Sequence, residues 1–181
     1  MHDFRHTGVF RVMKTLSIEV RRADPEDSHA VANVHRESWL HAYGGLIPHK
    51  ALVNMLERRR ADWWRRAALG PSTLLVLDIG GKIVGYTTIG LNRTAAFKQD
   101  AEIYELYLLP QYQGVGLGSY LFREARSVLT SLGYQGLVAW CLEESDNAMT
   151  FFRAAGGLDV AEGMEDFDST ELKKIGFVWR H

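Results

Sequence analysis

The stretch Ala101-Glu102-Ile103-Tyr104-Glu105-Leu106-Tyr107-Leu108-Leu109-Pro110-Gln111-Tyr112-Gln113-Gly114-Val115-Gly116-Leu117-Gly118-Ser119 runs a strand into a glycine-rich turn and then into a helix. Residues 101–109 are rich in aromatic and aliphatic side chains, and Pro110 ends the run. Beyond the turn, Leu121, Phe122, Ala125, Val128, Leu129 and Leu132 recur at helical spacing until Gly133 closes the helix. Glycines at alternate positions (Gly114, Gly116, Gly118) strip side chains from the turn. Backbone N–H groups at the head of the helix then face outward with the positive end of its dipole, which suits a phosphate or pyrophosphate.

What the turn lacks narrows the ligand. A P-loop needs Lys and a hydroxyl after its last glycine, but Gly118 is followed by Ser119 and Tyr120. A dinucleotide fingerprint needs glycine where Ser119 stands, and an acidic residue about 20 residues on, where Leu137 to Trp140 lie. Neither motif is present.

The 181 residues suit one domain with a full core, 46% hydrophobic and 24% charged as in ordinary globular chains. A net charge of −1 provides no field for nucleic acid or an anionic membrane, and no apolar run is long enough to span a bilayer. The one cysteine, Cys141, has no disulfide partner in the chain, which points to the cytoplasm. His29, His35, His41 and His49 are too widely spaced for a metal motif, so no metal is expected. Residues 1–15 read as a flexible tail without a secretory core, with Met13 as an alternative start; residues 16–181 read as the folded domain.

Working outward, Leu16 to Arg21 reads as a first strand and Asp24-Pro25 as a helix start, that helix running to Ala42. Pro48 opens a second helical stretch that continues to Gly70-Pro71. Thr73 to Ile89 is a hairpin around Gly80-Gly81, and polar residues 92–100 lead into the strand at 101. Gly136 to Leu142 is a buried strand, Asn147 to Ala155 a short helix, and Leu172 to Arg180 a closing strand. The acidic cluster Glu162, Glu165, Asp166 and Asp168 reads as a solvated loop, with attraction of a cationic amine as the alternative.

Gln113-Gly114-Val115-Gly116-Leu117-Gly118 matches the Q/R-x-x-G-x-G/A loop, and with its lead-in strand the chain resembles the GNAT superfamily of acyl-CoA-dependent N-acyltransferases. Residues 38–48 resemble its first helix-to-loop segment, and residues 147–157 a shortened form of its N-x-x-A-x-x-F-Y-x-x-x-G-F element. The resemblance covers roughly residues 18–179. It implies an α/β fold: a mixed, mostly antiparallel central sheet split into a V by the acyl-CoA cleft and flanked by helices.

It also implies an N-acetyltransferase that moves an acetyl group from acetyl-CoA to a primary amine of a small molecule or peptide, in a ternary complex. Leu106, Tyr107 and Leu108 would meet pantetheine and acetyl through their backbone, the N–H near Leu108 serving the developing oxyanion. Gln113, Gly114, Val115, Gly116, Leu117, Gly118 and Ser119 would hold the pyrophosphate, while Asn147 and Phe151 would border the cleft. Glu102 matches the family's usual base, with a solvated strand-end carboxylate as its plain reading; Glu105 is the reserve, although strict alternation would aim it at the opposite face. Trp39 and Tyr43 would line the acceptor pocket, although such aromatics equally suit a core.

One departure is Phe152, where the family often has a Tyr that protonates the leaving thiolate; Tyr43 or Cys141 are the replacements in reach. Phe152 keeps a non-catalytic acyl-CoA sensor open as the alternative function. A partner protein without ligand binding is a third reading, and the intact glycine loop argues against it. Family habit and the apolar side chains Ile175, Phe177 and Trp179 point to a homodimer.

Overall fold

The structure is a computed structural model and describes residues 16–180. The expected tail at 1–15 and the alternative start at Met13 lie outside the described residues. Strand β1 (Ile18–Arg22) leads through a 3-10 turn (Pro25–Asp27) into α1 (Ser28–Tyr43). Then come α2 (His49–Arg58), α3 (Ala61–Ala68), β2 (Thr73–Ile79), β3 (Lys82–Leu91) and β4 (Ala101–Leu108). After the glycine turn follow α4 (Leu117–Ser131), β5 (Leu137–Leu142), α5 (Asp146–Ala154), β6 (Leu158–Phe167) and β7 (Thr170–Trp179). One sheet holds all seven strands in the order β1-β2-β3-β4-β5-β7-β6, antiparallel except where β4 meets β5.

That parallel pair decides the architecture. It extends only over Ala101–Ile103 against Leu137–Ala139, after which β4 stays with β3 and β5 stays with β7. The sheet therefore opens into a V, as expected. Its opening starts beside a bulge: Thr88 pairs Glu105 and Ile89 pairs Ile103, so Tyr104 has no partner on β3.

The bulge corrects the face assignment made from strict alternation. Glu102, Glu105 and Tyr107 lie opposite Gly90, Thr88 and Tyr86, which are alternate residues of β3 and share one face. Glu105 therefore points to the same side as Glu102. Ala101, Ile103 and Leu106 take the other side and join Phe122, Ala125 and Leu129 of α4 in one core. A second core, under α1 and α3, gathers Val31, Val34, Trp64, Val76, Val84 and Tyr86.

Two further expectations change. The stretch from Pro48 to Gly70 is not one helix but α2 and α3, broken at Arg59-Arg60, where Arg59 leaves helical geometry at φ −113° and ψ 52°. The acidic cluster is not a loop: Glu162, Glu165 and Asp166 lie on β6, with only Asp168 in the turn to β7. Glu162 pairs with Lys173 and Glu165 with Lys174 across the hairpin, at 2.8 and 2.6 Å. Ile175, Phe177 and Trp179 are buried within the chain, so they supply no face for a dimer. Among the described residues no helix is long and apolar enough to cross a membrane.

Candidate active site

The site has two halves that meet at the split between β4 and β5. On the α4 side the glycine loop follows a 3-10 turn (Pro110–Tyr112). Gln113 anchors this turn: its side-chain amide donates to the Leu108 carbonyl at 3.1 Å and its backbone N–H to the Pro110 carbonyl at 3.2 Å. Gly114 and Gly116 adopt φ of +75° and +86°, where a side chain is strained, and a Cβ at either would meet nothing within 4 Å. Glycine is needed here for the backbone, and the space before it is open. Gly116 caps α4, whose first intrahelical bond runs from the Tyr120 N–H to the Gly116 carbonyl at 3.1 Å. The N–H groups of Leu117, Gly118 and Ser119 precede it, and the first N–H groups of a helix have no partner within the helix. Such a cradle fits a pyrophosphate.

Gly118 has a different reason to be glycine. A Cβ there would stand 3.3 Å from the Phe151 ring, which also packs edge-on against Phe122. Phe151 thus joins the head of α4 to α5 across the split. Asn147 is exposed on the first turn of α5. Phe152 turns the other way, into the core against Phe177 and Trp179, with ring centroids 5.5 Å from each. Its lack of a hydroxyl therefore takes nothing from the cleft.

The other half is a cavity of about 470 Å³ on the α1 side of the sheet. Trp39 and Tyr43 of α1 line it, together with Glu102, Tyr104, Glu105 and Tyr107 of β4. Trp140, Cys141 and Leu142 of β5 close it from across the split. Trp39 and Tyr43, grouped by sequence with either core or pocket, serve both: Trp39 is buried yet faces the cavity, and Tyr43 hydrogen-bonds Tyr107 through the two phenol oxygens. Burial pushes the Tyr43 phenol up to about 12 and that of Tyr107 well above its usual value. Both stay protonated at neutral pH. Burial also lifts the Cys141 thiol to about 12, which removes the thiolate that a nucleophilic role requires.

The two carboxylates differ. Glu102 is almost fully buried and accepts three hydrogen bonds from Arg93: from its backbone N–H (2.9 Å), Nη2 (2.8 Å) and Nε (3.3 Å). Arg93, on the loop between β3 and β4, also lies 3.9 Å from the centre of the Tyr104 ring. That ring crosses β3 over Gly90, where a Cβ would stand 2.6 Å from the Tyr104 oxygen. Glu105 pairs with Arg59 at the break between α2 and α3. Burial raises its pKa, opposed by the Arg59 guanidinium. Arg59 and Arg93 were not singled out as site residues from sequence; the break between α2 and α3 brings Arg59 to Glu105, while Arg93, itself largely exposed, reaches Glu102 from the loop before β4.

Behind this wall lies His35, 1% exposed, in contact with Trp39, Trp64 and Tyr86. Its Nδ1 is 2.8 Å from the Tyr86 oxygen. Burial, helped by the positive charge of Arg59, holds its pKa down to about 3. Unfolded, the imidazole titrates near 6.5, so below that pH the unfolded chain binds a proton that the folded chain refuses. The stabilisation is complete above that pH and lost progressively as pH falls toward the folded value. Urea denaturation at pH 7.5 and pH 5 is expected to differ by about 2 kcal/mol from this group alone. His35→Gln should shrink that difference; an equal difference in the variant would rule out His35 as its source.

Comparisons with known proteins agree with this fold. The sequence profile of the Acetyltransferase (GNAT) family matches residues 31–156, from within α1 through the glycine loop to the end of α5. An uncharacterized N-acetyltransferase of Bacillus subtilis, YuaI, is 28% identical over 162 residues, covering 90% of this chain and 92% of that one. The spermidine N(1)-acetyltransferase of Thermoplasma acidophilum is 27% identical over 120 residues, covering 65% of this chain and 74% of that one. Among solved structures, the PaiA N-acetyltransferase of Thermoplasma acidophilum, crystallised in complex with coenzyme A, superposes with a TM-score of 0.73. It is 19% identical, with 91% of this chain and 99% of that chain covered.

Proposed function

The chain belongs to the acetyltransferase (GNAT) family, an acyltransferase by that membership, and from this premise we propose that it moves an acetyl group from acetyl-CoA to the primary amine of a small molecule. The observation that carries the reading is the split at Ile103 and Ala139. It puts a phosphate-suited helix head on one side of the sheet and an aromatic cavity with two carboxylates on the other.

In this reading the N–H groups from Gly114 to Ser119 hold the pyrophosphate, and the unpaired edge of β4 from Tyr104 to Leu108 lies along pantetheine. Acetyl-CoA supplies the activated acetyl group. The acceptor amine enters between Trp39, Tyr43 and Tyr107 and must lose a proton before it attacks, since an ammonium has no lone pair. A carboxylate of β4 takes that proton, help worth roughly 10²–10⁴-fold in such reactions. The hydrogen-bonded phenols of Tyr43 and Tyr107 line the cavity and serve as a relay for the proton that ends on the departing sulfur. Attack in this reading is direct, within a ternary complex; burial of the Cys141 thiol speaks against an acyl-cysteine intermediate.

Release of free thiol from acetyl-CoA, followed with a panel of amines and with mass spectrometry of the products, tests the proposal. The relative named as a spermidine acetyltransferase makes polyamines the first acceptors to try. Amine-dependent release with one acetyl group on the product is the expected result. Tight coenzyme A binding without turnover of any amine would favour the sensor instead.

A further inference from the structure

Two arginines reach two glutamates in this cavity, and the arrangements are not equivalent. Around Glu102 the bonding is closed: Arg93 supplies its backbone N–H and two guanidinium nitrogens to the two carboxylate oxygens. A carboxylate so engaged is committed to holding the loop between β3 and β4 onto β4. Glu105 meets its arginine through Nη1 alone. Arg59 itself is held from several directions: its guanidinium lies over the rings of Trp39, Trp63 and Trp64, at 5.6, 4.8 and 6.0 Å. Its carbonyl accepts the Trp64 indole N–H at 3.0 Å. The break between α2 and α3 therefore has a consequence for the cavity, because it delivers this one side chain inward while Arg58 and Arg60 stay outside.

We propose, building on the acetyltransferase reading, that Glu105 rather than Glu102 takes the proton from the acceptor ammonium, and that Arg59 is the positioning residue that aims it. The balance is simple. The ammonium gives one proton to the Glu105 carboxylate and gains a lone pair. That pair forms the C–N bond to the thioester carbonyl carbon, and the C–S bond breaks with its electron pair on sulfur. A second proton, lost from the same nitrogen, ends on that sulfur. Glu105 returns its own proton to solvent, so one proton is released per turnover.

The groups that set the proton affinity of Glu105 come from every element around it: Arg59, Arg93, the Thr88 hydroxyl, and the phenols of Tyr43, Tyr86 and Tyr107. Burial raises that affinity and the Arg59 guanidinium opposes the rise, so Arg59 governs how basic the carboxylate is.

The experiment compares kcat/KM against pH for wild type, Glu105→Gln, Glu102→Gln, Arg59→Met and Arg59→Lys, with a carboxyl-labelled NMR titration of Glu105 alongside. Glu105→Gln is expected to lose about a hundredfold or more near neutral pH, the loss shrinking as pH approaches the amine's own pKa. Glu102→Gln should lose less. Arg59→Met keeps the apolar stem against the tryptophans but removes the charge, so the acidic limb of the profile should move up by about one pH unit. Arg59→Lys should restore most of that limb. A purely structural Arg59 would lower stability and leave the limb in place, and that outcome overturns the positioning role. A larger loss in Glu102→Gln than in Glu105→Gln overturns the assignment of the base. Absence of turnover by wild type with every amine overturns the acetyltransferase reading and the catalytic role with it, while the NMR titration still reports whether Arg59 sets the Glu105 pKa.

Discussion

Gly116→Asp is expected to weaken coenzyme A binding by at least a hundredfold while the chain stays folded. The residue caps α4 at φ +86°, and a Cβ there enters open space, so the protein itself has room for the side chain. If the pyrophosphate is held as proposed, what the variant meets is the ligand. Two like charges about 4 Å apart repel by roughly 4 kcal/mol at the effective dielectric of a protein surface, and solvent screening still leaves about 2.7 kcal/mol, a factor of a hundred. The left-handed backbone adds a strain of about 1–2 kcal/mol, which falls on the fold and not on the ligand. Gly116→Ala carries that strain without the charge and is the control. Calorimetric titration with coenzyme A, beside a thermal melt, separates the two effects. A folded Asp variant with affinity close to that of the Ala variant would move the phosphate site away from this loop.

The glycine loop was readable because its signal is local. Positive φ at Gly114 and Gly116 demands glycine from the turn itself, whereas Gly118 answers to Phe151 on α5 and shares only in the motif. The split of the sheet was readable only through family resemblance, since nothing in Leu137 to Leu142 states where pairing with β4 ends. The bulge at Tyr104 lies between these cases. Apolar positions Ala101, Ile103, Leu106 and Leu108 are spaced two, three and two apart, and the polar set Glu102, Glu105, Tyr107 is spaced three and two. That single break in period is the mark of one inserted residue, and reading through it with strict alternation sent Glu105 to the wrong face. The break at Arg59-Arg60 carries no such mark. No glycine or proline stands there, and it is tertiary: three tryptophans and a buried carboxylate draw Arg59 out of helical geometry. The element order read from the sequence ends in two strands, but the place of the first, Leu158 to Phe167, was hidden by its acidic residues, which are matched by lysines that follow only after the turn.

The same cluster sets the largest expected effect on stability, from Trp64→Ala. Trp64 is fully buried, with its ring 4.8 Å from Tyr86 and 5.2 Å from His35, and it ties α3 to α1 and to the sheet. Truncating a buried Trp to Ala costs about 3–5 kcal/mol, because the aromatic area is lost and the rigid surroundings leave a cavity. A domain of this kind has about 5–15 kcal/mol in all, so the variant keeps only part of its margin. Urea denaturation should show the midpoint falling accordingly. Trp64→Phe keeps most of the ring but strands the Arg59 carbonyl that the indole N–H satisfies, which costs about 1–3 kcal/mol. The pair of variants separates packing from the hydrogen bond. A loss below about 1 kcal/mol in Trp64→Ala would mean that the site collapses onto the gap far more freely than close-packed interiors do. Arg59 would then have to be held by Trp39, Trp63 and Glu105 alone. If the loss is as large as expected, the residue that holds α3 onto the sheet also backs the arginine that reaches Glu105, so the cavity wall at Trp39 and the carboxylate proposed as the base rest on one packed unit.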